Sequence, residues 1–302
     1  MNANLDELAD AIRNRRAMLF AGAGVSMSVG LPSWSELVEH LQSELGLTAV
    51  DPKVTYHTLA EYYRLKQGSI GPLRSWMDRT WAVSHDDVAN SVVHRYILDC
   101  DFPIIYTTNY DNTLEVAYEI HERPYLKIAN THDLIAIDGQ KTQIVKFHGD
   151  FSDDSTLVIA ETDYFKRLAF ESPLDIKFKA DALGRTLLFI GYSVSDLNIR
   201  LLLYRLWQTW RESGRERERP GVYVFTANPD PIQTAVLQQW GITVISGTGD
   251  PQDSLIGFLS ELTEAVQKKS VSDRPRAKIE PIRQRFANEP HPIRPANPQS
   301  NI

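Results

Sequence analysis

Short runs of apolar residues recur along the chain and alternate with segments whose apolar residues follow a helical spacing. Six such runs lie at residues 17–20, 102–106, 144–147, 186–190, 222–225 and 242–245. They are rich in branched and aromatic side chains, as is typical of strands buried in a parallel sheet. Helical spacing appears at residues 5–12, 111–119, 195–213 and 231–240. The alternation predicts an α/β fold: a Rossmann-like, mostly parallel sheet with helices on both faces.

Two stretches interrupt this alternation. Residues 51–100 carry helical patterns at 59–63, 73–81 and 88–98 with no strand pattern between them, which predicts a helical insertion. Just before it, the capping-box spacing of Ser33 and Glu36 predicts the start of a helix. After residue 267 the periodicity stops, and six of the 16 prolines fall within 275–298. We therefore expect one domain over 1–267, and a tail over 268–302 that is disordered or docks on a partner.

The charge is unevenly distributed along the chain. The net charge is −7, but residues 267–302 contain eight Lys or Arg and three Asp or Glu, so the tail is +5 and the remainder is −12. An acidic body argues against direct nucleic-acid binding by the folded part. The single cysteine, Cys100, excludes an intramolecular disulfide and a cysteine-built zinc site. With no signal peptide pattern and no apolar run of about 20 residues, we expect a cytoplasmic protein without membrane contact.

Small or polar residues follow almost every predicted strand. The five clusters lie at 22–26, 107–111, 148–150, 191–196 and 226–229. In an open parallel sheet, ligands bind beyond the carboxyl ends of the strands, near the point where the strand order reverses. The clusters therefore predict a binding edge on the sheet.

The glycine turn after the first strand is a candidate phosphate-binding loop. Gly22 and Gly24 can adopt positive φ and let a phosphate approach the backbone closely, and their N–H groups can then hold a diphosphate without a lysine. The turn is not a Walker loop, and Met27 occupies the place of the third glycine in the dinucleotide fingerprint. A tight strand-to-helix turn also favours glycine for purely structural reasons, so both interpretations stay open.

Three side chains at the other strand ends are candidates for chemistry. Asn109 is placed to bind a ribose hydroxyl or hold a water, whereas Asp111 also suits the N-cap of the next helix, as Ser195 and Asp196 do for a later helix. His148 follows an apolar run and precedes Gly149, so we expect it to project from a strand end with little bulk beside it. That position favours an acid/base or ribose-contacting role.

Taken in order, these motifs resemble a known family. Gly-Ala-Gly-Val-Ser, Thr-Thr-Asn-Tyr-Asp, Phe-His-Gly and Gly-Tyr-Ser-x-Ser-Asp, spread from residue 20 to about 230, resemble the sirtuin superfamily. The resemblance is closer to the bacterial sirtuin-like NAD-hydrolase domains of antiphage defence systems. It implies that NAD is the substrate.

The resemblance assigns roles to individual residues. It implies a catalytic histidine at His148, and contacts of Asn109 and Asp111 with the nicotinamide ribose. The residues that would contact the diphosphate are Gly22, Ala23, Gly24 and Ser26. The residues that would line the second half of the cleft are Gly191, Tyr192, Ser193 and Asp196, with Asn228 at the adenosine ribose.

The departures from sirtuin deacylases shape the predicted activity. The four zinc-binding cysteines are missing, and Gly30-Leu31-Pro32 lacks the Asp and Arg that follow it in deacylases. We therefore predict hydrolysis of the nicotinamide–ribose bond to nicotinamide and ADP-ribose, without a metal. Asn109 would position the water and Asp111 would orient Asn109 or the ribose. His148 would bond the ribose hydroxyls or accept a proton, with a pKa near neutrality.

Two other classes of function stay open at this point. One is a non-catalytic sensor of NAD or ADP-ribose, and the other is a protein deacylase or ADP-ribosyltransferase. The resemblance further implies the toxic effector of an antiphage defence system, which depletes NAD on activation and is kept off by assembly or by a partner. The expected partners are further copies of the chain and a DNA-translocase-type ATPase or an Argonaute-like protein, with the basic tail as docking segment.

Overall fold

The computed structural model describes residues 3–32, 34–137, 139–168, 171–192 and 197–268. Its strands are β1 (Ala17–Ala21), β2 (Ile104–Thr107), β3 (Tyr125–Ile128), β4 (Thr142–Lys146), β5 (Thr186–Ile190), β6 (Val222–Ala227) and β7 (Thr243–Gly247). They form one seven-stranded sheet in the order β3-β4-β2-β1-β5-β6-β7, and every neighbouring pair is parallel. The predicted Rossmann-like parallel sheet is confirmed.

β1 occupies the centre of the sheet. It pairs with β2 through Leu19 and Ile105, and with β5 through Ala17 and Thr186. Every residue of β1 is buried, which agrees with its uninterrupted run of apolar residues. Because the chain continues to one side of β1 and later to the other, the order of the strands reverses there, and a cleft forms at its carboxyl end.

Helices cover both faces of the sheet, as predicted. The helices are α1 (Ala3–Arg13), α2 (Ala23–Met27), α3 (Trp34–Glu44), α4 (Tyr56–Gln67), α5 (Gly71–Thr80), α6 (His85–Asn90), α7 (Val92–Cys100), α8 (Thr113–Ile120), α9 (Glu161–Leu168), α10 (Pro173–Gly184), α11 (Leu197–Glu212), α12 (Pro231–Gln239) and α13 (Pro251–Gln267). On one face α1, α7, α8 and α13 bury apolar side chains with Leu19 and Ile105. On the other, α10, α11 and α12 pack with Phe20 and Phe189. None of the described helices is long and apolar enough to cross a membrane.

The predicted helical insertion is present with different bounds. A separate apolar core forms where α3, α4 and α5 pack on the loops after β2 and β4, through Leu41, Tyr63, Met77 and Tyr110. We call these three helices the helical cap. α7, which the insertion was expected to include, packs instead into the core beside the sheet through Val93.

Some predictions fall outside or beside these elements. α3 begins at Trp34, while Ser33 lies outside the described residues, as do residues 269–302 of the predicted tail. The division of the chain at residue 267 stays a prediction. The helical pattern over 88–98 forms α6 and α7, which meet at Ser91, whose side chain accepts a hydrogen bond from the His94 N–H.

Candidate active site

The loops that carry the predicted site residues meet at the carboxyl edge of the sheet. Phe147, directly after β4, donates its N–H to the Thr107 carbonyl at the end of β2, over 2.7 Å. Gly22, directly after β1, donates its N–H to the Ile190 carbonyl at the end of β5, over 2.9 Å. Four of the five predicted clusters therefore begin next to one another, at the reversal of strand order.

Asn109, Ser26 and Asp111 form one hydrogen-bonded array. Asn109 Nδ2 donates to the Gly22 carbonyl over 3.0 Å and to Ser26 Oγ over 2.8 Å. Ser26 Oγ in turn donates to Asp111 Oδ2 over 2.7 Å. Ser26 and Asp111 are both buried, so these bonds are shielded from competing water. The array fixes the orientation of the Asn109 amide.

Asp111 also shapes the turn into α8. Its Oδ1 accepts the Thr113 N–H over 3.1 Å, while the N-cap position itself is Asn112, which has no side-chain cap bond. Asp111 therefore replaces part of the expected cap interaction from one position earlier. One carboxylate serves both the helix start and the array with Ser26.

The glycine turn adopts a conformation that the sequence analysis did not anticipate. Gly22 has φ −104°, and Gly24 is not among the residues with positive φ, so the turn does not use the left-handed conformation that is open to glycine. Crowding by the loop after β5 is the reason for these glycines: a Cβ on Gly22 would lie 2.6 Å from the Gly191 carbonyl oxygen, and one on Gly24 would lie 2.8 Å from Gly191 Cα. The N–H groups of Gly22 and Gly24 donate to the carbonyls of Ile190 and Gly191.

The loop after β5 supplies Gly191 and Tyr192 to the same edge. Gly191 has φ 69°, which glycine adopts without strain. The Tyr192 hydroxyl lies 2.8 Å from Thr108 Oγ1 and donates to the Ala21 carbonyl over 3.3 Å. It therefore joins the ends of β1 and β2. The predicted residues Ser193, Ser195 and Asp196 lie outside the described residues.

A pocket opens between the glycine turn and the helical cap. The pocket is small, with a cavity volume of about 30 Å³, and its lining includes Ala23, Ser26, Asn109 and Asp111 on one side and Trp34, Trp81 and Tyr110 on the other. Trp34 meets Trp81 edge to face at 5.9 Å between ring centroids. Polar atoms of the array thus face an aromatic wall across the pocket.

His148 does not project into open space as expected. It is buried, its ring lies edge to face with Tyr164 at 5.3 Å, and its Nδ1 lies 3.5 Å from the Tyr164 hydroxyl. The loop that follows β4 folds back over it, since the Val158 N–H donates to the His148 carbonyl over 2.9 Å. The expectation of little bulk beside His148 is therefore wrong, because Gly149 begins a return loop and not an opening.

The pKa of His148 also differs from the expected value near neutrality. Burial lowers this pKa well below 6.5, and the cationic Arg167 and the nearby His57 lower it further. The expected titration near pH 7 is therefore wrong, and the imidazole is neutral at physiological pH. A neutral imidazole can still accept a hydrogen bond from a hydroxyl.

Asn228 lies at the same edge but uses its side chain locally. It has φ 51°, its Nδ2 donates to the Gly249 carbonyl over 2.7 Å, and its Oδ1 accepts the Gly249 N–H over 3.1 Å. These bonds connect the loops after β6 and β7. Its predicted contact with the adenosine ribose stays a prediction.

Two buried charged residues beneath the array were missed by the sequence analysis. Lys146, the last residue of β4, is fully buried, and its Nζ donates to the Asp111 carbonyl and lies 3.4 Å from Glu115 Oε1. Burial raises the pKa of Glu115, and the neighbouring Lys146 opposes that rise. Lys146 immediately precedes Phe-His-Gly, and a lysine at the end of an apolar run was the available signal.

Among the residues that the structure describes, no group of three or more His, Cys, Asp or Glu side chains is placed to hold a metal ion.

The sheet and its polar edge define a Rossmann-like α/β protein, and comparison with known proteins narrows this class. The model of the family described as the SIR2-like domain matches residues 103–245. The chain is 32% identical over 218 residues to the NAD(+) hydrolase ThsA of Enterococcus faecium. The aligned region covers 70% of this chain and 44% of that relative. The chain is 29% identical over 214 residues to the NAD(+) hydrolase ThsA of Bacillus cereus (strain MSX-D12), with 70% and 44% covered.

A further relative is the Defense-associated sirtuin 2 of Bacillus subtilis, 25% identical over 245 residues, which cover 77% of this chain and 23% of the relative. The chain thus spans less than half the length of these curated relatives. Fold, motifs and matches together identify it as a sirtuin-like protein.

Proposed function

We propose that the chain is an NAD hydrolase that cleaves the bond between nicotinamide and ribose. The observation that carries the proposal is the Asn109–Ser26–Asp111 array beside an aromatic-lined pocket at the reversal of strand order. Relatives named NAD(+) hydrolase at 29% to 32% identity support the same substrate. Water would attack the ribose C1′ while the electron pair of the broken bond leaves with the nicotinamide nitrogen, giving nicotinamide, ADP-ribose and a proton.

Asn109 is suited to position the attacking water. An amide nitrogen has two protons, and both are donated, one to the Gly22 carbonyl and one to Ser26 Oγ. The amide oxygen is then the atom of this side chain that would accept a hydrogen bond from the water. Because the array holds the amide in place before the substrate binds, the reaction needs little reorganisation.

The pocket chemistry suits the other reacting groups. The nicotinamide ring of NAD is a flat cation, and the aromatic lining of the pocket, which includes Trp34, would stabilise such a ring. The Asp111 carboxylate would favour the positive charge that develops on the ribose as the bond breaks. His148, neutral at physiological pH, would accept a hydrogen bond from a ribose hydroxyl.

The test is nicotinamide release from NAD by the purified protein, followed by chromatography. Asn109→Ala is expected to slow release about 100-fold or more, because the water loses its positioning group. His148→Ala is expected to slow it as well. Asn14→Ala, a change at an exposed asparagine that precedes β1, is the matched control and should keep the wild-type rate. Wild-type release from both Asn109→Ala and His148→Ala would contradict the assignment of the site.

The alternative of a non-catalytic sensor is decided by the same experiment. Tight NAD binding without nicotinamide release, with and without a co-expressed partner protein, would replace hydrolysis by sensing. Release that requires an acylated or acceptor protein would instead indicate a deacylase or an ADP-ribosyltransferase.

We further propose that the protein is the effector of a bacterial antiphage defence system and acts by depleting NAD. The name of one relative, Defense-associated sirtuin 2, supports this role. Homo-oligomerisation, and docking of residues 268–302 on a partner of the DNA-translocase or Argonaute-like class, belong to the same proposal. Cellular NAD measured after phage infection should fall in cells that express the wild type and stay constant with Asn109→Ala.

A further inference from the structure

A buried ion pair lies directly beneath the array. Lys146 and Glu115 have side-chain exposures of 1% and 5%, and the two charged groups are 3.4 Å apart. Removing two charges from water is costly, and an apolar pair of similar volume is often as stable or more stable. The pair is therefore poorly explained as a device for stability alone.

The contacts of Lys146 lead straight to the candidate active site. Its Nζ donates to the Asp111 carbonyl, and the carboxylate of that same residue accepts the bond from Ser26, which holds Asn109. A charge-assisted hydrogen bond inside the protein is stronger than a neutral one. Lys146 thus restrains the backbone of the loop after β2 from below, while Ser26 restrains its side chains from above.

We propose that Lys146, with its charge balanced by Glu115, is a positioning residue that holds Asp111, and through it Asn109, in the reactive arrangement. The catalytic part of this inference rests on the proposed NAD hydrolysis. The Glu115 carboxylate compensates the buried charge of Lys146, and the Lys146 ammonium makes the contact with the loop after β2. Neither residue needs to touch the substrate.

The first variant removes both charges together. Glu115→Leu with Lys146→Met fills similar volume without leaving an unpaired buried charge, so we expect it to fold. The Asp111 carbonyl loses its donor, and we expect amide hydrogen exchange in residues 108–113 to become about tenfold faster. The kcat for nicotinamide release should fall about tenfold, while KM changes less, because the loss falls mainly on the reacting arrangement.

A second variant restores only the donor. Glu115→Leu with Lys146→Gln keeps an N–H group in place of the ammonium, so exchange in residues 108–113 and kcat should stay within about threefold of wild type. A role in packing alone predicts equal losses with Met and Gln. A tenfold loss of kcat in the variant with Lys146→Gln would overturn the proposal. This test does not depend on whether the variant with Lys146→Met folds.

Lys177→Met is the matched control. It removes another shielded lysine that pairs with a carboxylate, Asp181, over 2.6 Å on the opposite face of the sheet. It should leave the exchange of residues 108–113 and the kcat unchanged.

The exchange measurement separates this inference from the proposed function. Wild-type exchange in the Met variant would overturn the positioning role whether or not NAD is cleaved. If the wild-type protein releases no nicotinamide and the Met variant still exchanges faster in residues 108–113, the positioning role stands and only the hydrolysis fails.

Discussion

Gly24 lies where the turn after β1 meets the turn after β5. The backbones of the two turns are in direct contact there, since a Cβ on Gly24 would lie 2.8 Å from Gly191 Cα. Backbone atoms cannot move aside as the tip of a flexible side chain can. The turn after β1 is therefore sensitive to the addition of a single methyl group.

Gly24→Ala is accordingly expected to lower the free energy of unfolding by about 1–3 kcal/mol, the usual cost of overpacking. Chemical denaturation measures this difference. The matched control is Gly257→Ala in α13, where nothing lies within 4 Å of the added carbon. Because glycine disfavours helices, this control should raise the free energy of unfolding by about 0.5–1 kcal/mol. Equal effects at the two positions would show that the crowding at Gly191 is absent.

For single residues, the sequence predicts the place in the fold better than it predicts which side chains surround the residue. The small residues at 22–26 and the polar residues at 107–111 come together at one edge as the strand pattern predicts. The burial of His148 could not be read from its neighbours, because it depends on Tyr164 in a helix that the pattern did not show. The position of Lys146 at the end of an apolar run is visible in the sequence, but its partner Glu115 is not, because the two residues are 31 positions apart and meet only in the fold.

Among the elements, α4 and α9 are held together by ionic groups. Arg64 of α4 binds Glu61 in its own helix over 2.6 Å and Asp163 of α9 over 3.1 Å. Glu61 also accepts the N–H of Thr162, over 2.9 Å. Because the loop after β4 leads into α9, these bonds connect the helical cap to the segment that covers His148.

Arg64→Met is therefore expected to lower the free energy of unfolding by about 1–2 kcal/mol, since it breaks a partly buried network of charge-assisted bonds. Thermal unfolding checks the stability, and hydrogen exchange should rise in residues 56–67 and 160–168. Arg215→Met removes an exposed partner of Glu218 as the control, and such exposed pairs contribute about 0–1 kcal/mol. A loss at Arg64 no larger than the loss at Arg215 would contradict the linking role.

The sequence analysis missed β3, α9, α10 and α13. β3 is an edge strand whose residues Tyr125–Lys127 are only half-buried, so its pattern lacks the apolar run of the central strands. α9 is short, and it meets α4 mainly through polar groups, such as the Arg64–Asp163 ion pair and the contact between the Tyr56 and Tyr164 hydroxyls. The central strands were predictable because burial on both faces demands continuous apolar residues.

Over the part of the molecule that the structure describes, the buried His94 and His148 and the half-buried His57 respond to pH in the same direction. Burial lowers the pKa values of His57 and His94 to about 4 and that of His148 well below 6.5. Between pH 6.5 and about 4 the unfolded chain therefore binds protons that the folded chain does not. Their contribution to stability is fully present above pH 6.5 and is lost as the pH falls towards 4.

His94→Gln should make the stability less dependent on pH in this window. His94 is 1% exposed, and its Nδ1 lies 2.8 Å from Ser91 Oγ. A histidine that stays neutral only in the folded state adds a slope of at most about 1.4 kcal/mol per pH unit. Denaturation at several pH values between 4 and 7 measures the slope, with the exposed His121→Gln as control. An unchanged slope for His94→Gln would exclude His94 as a source.

The pairing of β1 with β5 has a consequence for how each molecule is made. Ala17 leaves the ribosome long before its partner Thr186, at a synthesis rate of about 5–20 residues per second, so one side of the central strand waits on the order of ten seconds. During that time an apolar strand edge is open to other nascent chains and to chaperones. The turn at Gly22 also lacks Gly191, against which it is shaped. During synthesis the chain therefore first exposes an apolar strand edge. The cleft at the end of β1 is complete only after the second half of the chain has left the ribosome.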